Sequence, residues 1–182
     1  MINILEHSSG KYAPRTFLNT RLGDITTAFY ADRNTGGERM TKKMAGSKYV
    51  GIHIDTHPLN EVVKTIYKAM VDKNAHSLNI AGNGMYTLHK FGYDQQYVNE
   101  YVLNIIKRVH IHRPIKEIYS GGQTGIDLAG IVAAKVLKIN AIATLPKGYI
   151  QRFEDKVDVV QSRKIIEHQI EFWAERVDAS TI

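Results

Sequence analysis

From residue 59 onward, the chain alternates short apolar segments with longer segments of helical period. Apolar residues recur every three or four positions in 59–70 and in 98–109, as on one buried face of a helix. Residues 77–81, 115–119 and 141–145 are short apolar runs that predict buried strands. Strands that alternate with helices need crossover connections, which produce a parallel sheet. We therefore predict an α/β, Rossmann-like fold: a parallel sheet with helices on both faces.

The first third of the chain has a weaker pattern. Residues 24–31 and 49–54 predict strands, joined either as a long hairpin or through a short helix that ends before Gly46. The first twenty residues show no convincing period and carry no functional signal. We predict that residues 1–57 form an N-terminal β-rich extension with a polar loop, and that residues 58–182 form the nucleotide-binding core, all within one compact unit.

Composition limits the chemistry. The 182 residues include no cysteine, which excludes disulfides, thiolate catalysis and thiolate zinc sites. The eight histidines have no metal-binding spacing, so we expect no metal and no cofactor apart from the ligand itself. We see no secretory signal and no apolar run near the roughly 20 residues of a membrane helix, so we expect a soluble, cytoplasmic protein with no membrane partner.

The formal charge of +6 suits either nucleic acid or small phosphorylated ligands. The basic residues form short clusters without a long run or interleaved aromatic residues. This distribution disfavours nucleic acid as a partner.

Three glycine-containing loops directly follow predicted strands. Their residues are Gly82, Asn83, Gly84 and Met85; Ser120, Gly121, Gly122, Gln123, Thr124 and Gly125; and Pro146, Lys147 and Gly148. The carboxyl ends of parallel strands share one edge of the sheet, where ligands bind in this fold class. In the middle loop, the glycines permit close approach of an anion, three polar side chains add donors, and the next helix begins with free N–H groups. This loop predicts a phosphate site, and the alternative is that the glycines serve only tight turns.

Three charged positions near these loops each have two interpretations. Asp127 either complements the helix dipole or binds a ribose hydroxyl, and we favour the hydroxyl. Lys147 is either a solvated lysine or a counter-charge to phosphate. The polar segment 34–43, with Arg39 as its candidate ligand residue, is either an exposed loop tip or a lid that reaches the site of its own or a neighbouring subunit.

The segment 119–127 (YSGGQTGID), followed by residues 145–148 (LPKG), resembles the YpsA-like branch of the SLOG superfamily. That superfamily also contains LOG-type lysine-decarboxylase-like proteins, DprA and putative molybdenum carriers. The resemblance covers roughly residues 78–149 and implies a Rossmann-like fold, a site for nucleotides or their derivatives, and a homo-oligomer. Some similar chains are encoded by bacteriophages, for which the location would be the host cytoplasm.

LOG hydrolases carry a Pro-Gly-Gly-x-Gly-Thr-x-x-Glu segment whose glutamate takes part in glycosidic cleavage, and no segment here matches it. Asp127 and Glu38 are the candidate replacements as acid or base, yet neither has a paired carboxylate in sequence. We therefore expect a non-catalytic protein that binds a nucleotide-derived molecule, for example to sequester a cyclic ADP-ribose-type or cyclic nucleotide messenger of host defence. The alternatives are a nucleotide N-glycoside hydrolase and a DprA-like DNA-processing protein.

Overall fold

Six parallel strands form the central sheet of the structure, a computed structural model that describes the backbone of residues 1–180 and the side chains of residues 1–177. The strands are β1 (Ile2–Glu6), β2 (Ile25–Tyr30), β3 (Tyr49–His53), β4 (Ser77–Gly82), β5 (Glu117–Ser120) and β6 (Asn140–Leu145). Their order across the sheet is β1-β6-β5-β4-β2-β3. A separate antiparallel hairpin pairs β7 (Gln151–Arg152) with β8 (Asp158–Val159).

Residues 1–180 form seven α-helices, six of which pack on the two faces of this sheet. They are α1 (Tyr12–Leu22), α2 (Gly36–Ala45), α3 (Leu59–Asp72), α4 (Met85–Leu88), α5 (Gln95–His112), α6 (Ile126–Val136) and α7 (Arg163–Ser180). Helices α1 and α2 pack together on one face, and α3, α5, α6 and α7 form a continuous layer on the other. The predicted α/β, Rossmann-like architecture is confirmed. Among the described residues, no helix combines the length and the apolar character needed to cross a membrane.

Helix α6 lies at the centre of its layer, and its sequence explains why. All residues from Ile126 to Ala134 are buried, as expected for a helix that is apolar on every side. A Cβ atom on Gly130 would lie 2.8 Å from the Cβ of Ile80, so the glycine lets α6 pack directly onto β4. This close packing fixes the position of the glycine turn that precedes the helix.

The N-terminal third is part of this core, which corrects the prediction of a β-rich extension. It supplies β1 at one edge of the sheet, β2 and β3 at the other, and both helices of one face. The prediction missed α1 because its buried residues, Arg15, Asn19 and Thr20, are polar and leave no apolar period. The hairpin alternative is also wrong, because β2 and β3 are parallel and α2 connects them.

The topology opens a crevice between two neighbouring strands. The connection after β2 leads to α2 on one face of the sheet, whereas the connection after the adjacent β4 leads to α4 and α5 on the other. Chains that leave neighbouring strands in opposite directions separate at the carboxyl edge. In open α/β sheets, this switch point is where ligands bind.

Candidate functional site

A cavity of about 280 Å³, hereafter the switch-point cavity, opens at this position. Helix α1 and β4 supply Arg15, Asn19 and Asn79 to its wall. The start of α2 contributes Thr35 and Gly37, and Met40 and Thr41 follow on the same helix. The predicted polar segment 34–43 therefore reaches the cavity of its own chain. This finding rules out the exposed-tip interpretation for that segment.

A buried ion pair crosses the wall of the cavity. Arg15 Nη1 donates to Asp127 Oδ2 at 3.0 Å, and the two residues are 7% and 6% exposed. Burial raises the pKa of the Asp127 carboxyl, while Arg15 and the backbone amides of Gly82 and Gln123 oppose this rise. The Asp127 carboxylate thereby ties α1, the end of β4 and the glycine turn together.

The ion pair lies directly against Gly121. A Cβ atom at this position would come within 1.3 Å of Arg15 Nη1 and 2.2 Å of Asp127 Oδ2. Gly121 is therefore required for contact between the ion pair and the turn. Gly121 lets the backbone come close to the Arg15–Asp127 ion pair, whereas the sequence analysis predicted that it lets a phosphate come close.

Several buried polar atoms of the cavity wall lack a hydrogen-bond partner. Arg15 Nε, Asn19 Oδ1 and Asn79 Oδ1 are all unpaired, and both asparagines are 2% exposed. An unpaired buried donor or acceptor costs about 1–3 kcal/mol. At least seven other buried side-chain atoms of the described residues also lack a partner, so unpaired atoms are not confined to the cavity wall.

The predicted donors of the glycine turn are occupied within the chain. Ser120 Oγ lies 2.7 Å from the carbonyl oxygen of Ile80. The Gln123 side chain accepts from Arg152 N at 2.9 Å, and Thr124 Oγ1 donates to Arg152 O at 2.5 Å. The bonds of Gln123 and Thr124 hold β7 over the turn, and that of Ser120 joins the turn to β4, so the three side chains have structural partners where donation to a ligand was predicted.

The backbone conformation explains the other two glycines of the turn. Gly122 and Gly125 have φ values of +66° and +93°, which glycine adopts without strain. The amide of Gly125 donates to Gln95 Oε1 at 2.6 Å. Neither of these two glycines lines the switch-point cavity.

The first glycine loop stands at the cavity. Gly82, Asn83 and Gly84 all line it. Asn83 Oδ1 accepts from the backbone amides of Ala31 and Asp32, both at 2.9 Å, so this side chain shapes the loop that leads to α2. Met85 and Thr124 instead line a separate groove of about 890 Å³ beside α7.

The third loop and Arg39 lie outside the cavity. Pro146 is buried, and the amide of Lys147 donates to Ser9 O at 3.0 Å beside the end of β1. The amide of Gly148 donates to Glu6 Oε1. Arg39 is exposed and donates to the carbonyl oxygen of Asn34. None of these residues lines the switch-point cavity.

Glu38, the second catalytic candidate, is buried in the first turn of α2. Burial raises its pKa, the hydrogen bond from Tyr49 opposes this, and the nearby Asp127 carboxylate raises it further. Its second oxygen is buried and unpaired, yet Glu38 is not part of the cavity wall. Among the described residues, no three metal-ligating side chains form a group.

Two tyrosines and an arginine form the mouth of the cavity. Arg152 makes a two-point salt bridge with Asp158, at 2.7 and 2.8 Å, on the β7–β8 hairpin. Its guanidinium carbon lies 5.2 Å from the ring centroid of Tyr12 and 5.9 Å from that of Tyr86. Burial and the Asp158 carboxylate raise the pKa of the Tyr12 hydroxyl. Further cations lie over the same rings: Arg15 at Tyr12, and Lys90 and Lys156 at Tyr86.

The sequence analysis missed six of these residues: Tyr12, Arg15, Asn19, Asn79, Tyr86 and Arg152. One signal was available. Asn79 is a polar residue within the apolar run of β4, where burial of its side chain costs free energy. The spacing of Arg15 and Asn19, four residues apart, becomes informative once α1 is known to be a helix.

Comparison with known proteins gives no family for this chain. No family model matches it, and no curated protein matches it. Among solved structures, it is similar to a KaiC-like protein from the hyperthermophilic archaeon Pyrococcus horikoshii OT3, with 10% sequence identity and a TM-score of 0.34. The alignment covers 91% of this chain and 68% of that chain. At this level, the likeness does not bear on function.

Proposed function

We propose that this chain binds a small nucleotide-derived molecule in the switch-point cavity. The observation that carries the proposal is a cavity at the switch point whose wall holds the buried polar side chains of Arg15, Asn19 and Asn79. A few polar side chains that converge on a cavity are what gives a small-molecule site its specificity. The resemblance of the glycine turn to nucleotide-binding proteins supports the same ligand class.

The dimensions and lining suit part of a nucleotide. A volume of about 280 Å³ is near the lower end of typical ligand pockets. It would enclose a sugar and one neighbouring group and leave the rest of the ligand at the mouth. There, the rings of Tyr12 and Tyr86 lie against cationic side chains, so a base that stacks on either ring takes the place of a cation.

The start of α2 is the preferred place for a phosphate. The first amides of a helix have no intrahelical partner and lie at the positive end of its dipole. Thr35 Oγ1 occupies the amide of Glu38 at 3.1 Å, so the amides that remain for an anion are those before it, at Gly36 and at Gly37, which lines the cavity. On the glycine turn, by contrast, a phosphate would meet the carboxylate of Asp127 beside Gly121. We therefore move the proposed anion site from the turn to α2.

Two observations favour binding over glycoside hydrolysis. Asp127 is fixed by Arg15 and two backbone amides, which limits its freedom to transfer a proton. Glu38 is bonded to Tyr49 and lies outside the cavity wall. The DNA-processing alternative depends on the net charge, and DNA binding that weakens steeply with salt would support it.

The first experiment is mass spectrometry of small molecules released by heat from the purified protein, with calorimetric titration of the four ribonucleoside monophosphates. Gly37→Phe should block the cavity. Gly36→Phe is its matched control, because a Cβ atom at either glycine meets nothing within 4 Å and only Gly37 lines the cavity. Binding that Gly37→Phe removes and Gly36→Phe retains supports the proposal. Binding of no nucleotide and release of none would refute it, and recovery of free base with ribose phosphate would favour a hydrolase.

A further inference from the structure

We propose that α7 forms the interface of a symmetric dimer, in which it packs antiparallel against α7 of a second copy of the chain. This surface is on the outside of the helix layer, and the inference does not depend on the ligand of the switch-point cavity. Three features carry it: an exposed apolar stripe, an acidic groove beside the stripe, and opposite charges at the two ends of the helix.

The outward face of α7 carries two large apolar side chains. The inward side of the helix packs on α5, α6 and β1. On the opposite side, Ile165 and Phe172 are 46% and 47% exposed. They are seven residues apart, which is about two helical turns, so they share one face. The guanidinium carbon of Arg176 lies 4.2 Å from the centroid of the Phe172 ring and covers one side of it, and about half of Phe172 still meets solvent.

The apolar stripe continues into the groove of about 890 Å³ beside α7, hereafter the α7 groove. Its apolar lining residues are Met85, Leu128, Phe153, Ile165, Phe172 and Trp173. Its ionisable lining residues are Glu154, Asp155, His168, Glu171 and Glu175, with no lysine or arginine. The groove is therefore acidic in a chain whose formal charge is +6. A partner that fits it brings apolar side chains together with cations.

The beginning of α7 supplies such cations. Arg163 is bound to Glu167 of its own helix at 2.9 Å, whereas Lys164 has no ionic partner among the described residues. The same holds for Glu175 near the other end of the helix, and both side chains are exposed. Eleven residues separate them, which is about three turns or roughly 16 Å, so both lie on the outward face.

An antiparallel arrangement matches this face with itself. With a two-fold axis near residue 169, Lys164 lies beside Glu175 of the partner subunit, and Ile165 lies beside Phe172 of the partner subunit. Symmetry repeats each contact, so two ion pairs flank an apolar centre. A parallel arrangement would instead bring equal charges together at both ends. The order of charges along α7 therefore favours a second copy of the chain as the occupant of this surface.

The first test is sedimentation velocity of the full chain at increasing concentration, where we expect an equilibrium between monomer and dimer. Phe172→Asp places a carboxylate in the apolar centre and should raise the dimer Kd by about tenfold or more. Phe17→Asp is the matched control: Phe17 is 49% exposed, has Arg21 over its ring at 5.3 Å, and lies on α1 at the other face of the sheet. A chain that stays monomeric, or a dimer that Phe172→Asp leaves intact, would overturn the inference.

The second test exchanges the charges at the two ends of the helix and needs no change in the apolar centre. Lys164→Glu and Glu175→Lys should each raise Kd by about tenfold, since each places like charges opposite one another at both ends of the interface. The double variant should return Kd to near its natural value. The two positions are roughly 16 Å apart within one chain, so only contact between copies gives this rescue. A double variant as weak as the single variants would show that the antiparallel arrangement is wrong.

Discussion

Replacing Asn19 with leucine should make the protein more stable while it weakens ligand binding. Asn19 is 2% exposed, and its Oδ1 has no partner. Removing an unpaired buried acceptor recovers about 1–3 kcal/mol, and leucine also has a higher helix propensity than asparagine by a few tenths of a kcal/mol. Because the side chain faces a cavity, the added volume is accommodated. Cavity water offsets part of the gain, so we expect a net increase of about 1–2 kcal/mol in the free energy of unfolding.

The measurement is urea unfolding followed by the fluorescence of Trp173, the single tryptophan of the chain. In a chain of this length, each kcal/mol raises Tm by about 2–4 °C, so thermal unfolding should show the same gain. Asn104→Leu controls for helix propensity, because Asn104 is in a helix and its side chain is already paired. A loss of about 1 kcal/mol or more in Asn19→Leu would refute the reasoning, since it would mean that the Asn19 oxygen is satisfied in the folded protein.

Three further predictions concern the residues around the ion pair. Gly121→Ala should destabilise the fold by about 1–3 kcal/mol in urea unfolding, because its Cβ would collide with Arg15, whereas Gly36→Ala meets no neighbour and should be neutral. Arg15→Met leaves Asp127 buried without its partner and should cost about 3–5 kcal/mol; if adding Asp127→Leu does not recover most of this, the pair is not the cause. The pKa of Glu38 is raised in the fold, so its stabilising contribution is full below the unfolded pKa of about 4.3 and is lost as the pH rises through the folded value. The free energy of unfolding of Glu38→Gln, relative to that of the natural chain, should therefore increase from pH 4 to pH 8. If urea unfolding gives the same difference at both pH values, the prediction is wrong.

The elements that the sequence predicted correctly are those with apolar inward faces. Helix α6 was recognised because nearly all its side chains are apolar, and α5 because Asp94 caps a helix of regular period, with Oδ1 accepting from Tyr97 N at 2.7 Å. Strands β4, β5 and β6 were found for the same reason. Gly46, with φ +55°, ends α2 where a glycine stop was predicted.

Helix α1 was not predicted because its inward face is polar. Helix α1 presents Arg15 and Asn19 to a polar cavity, so its sequence lacks the apolar period that identifies a buried helix. The partner of Arg15 is Asp127, 112 positions away, and local pattern carries no information about such a pair. The task of Gln123 and Thr124 was missed because their partners, Ile150 and Arg152, are in a segment without regular period.

The pairing of the first strand with the last strand of the sheet has a consequence for the synthesis of the chain. Ile2 of β1 pairs with Ala141 of β6, so a growing chain has no partner for β1 until about residue 145 has left the ribosome. Closing so long a loop is slow, and α1 directly follows β1 in the chain. The ion-pair partner of Arg15, Asp127, also lies 112 positions later in the chain, so this side of the cavity is completed late in synthesis. A ligand that needs the complete cavity would bind finished molecules and leave nascent ones free.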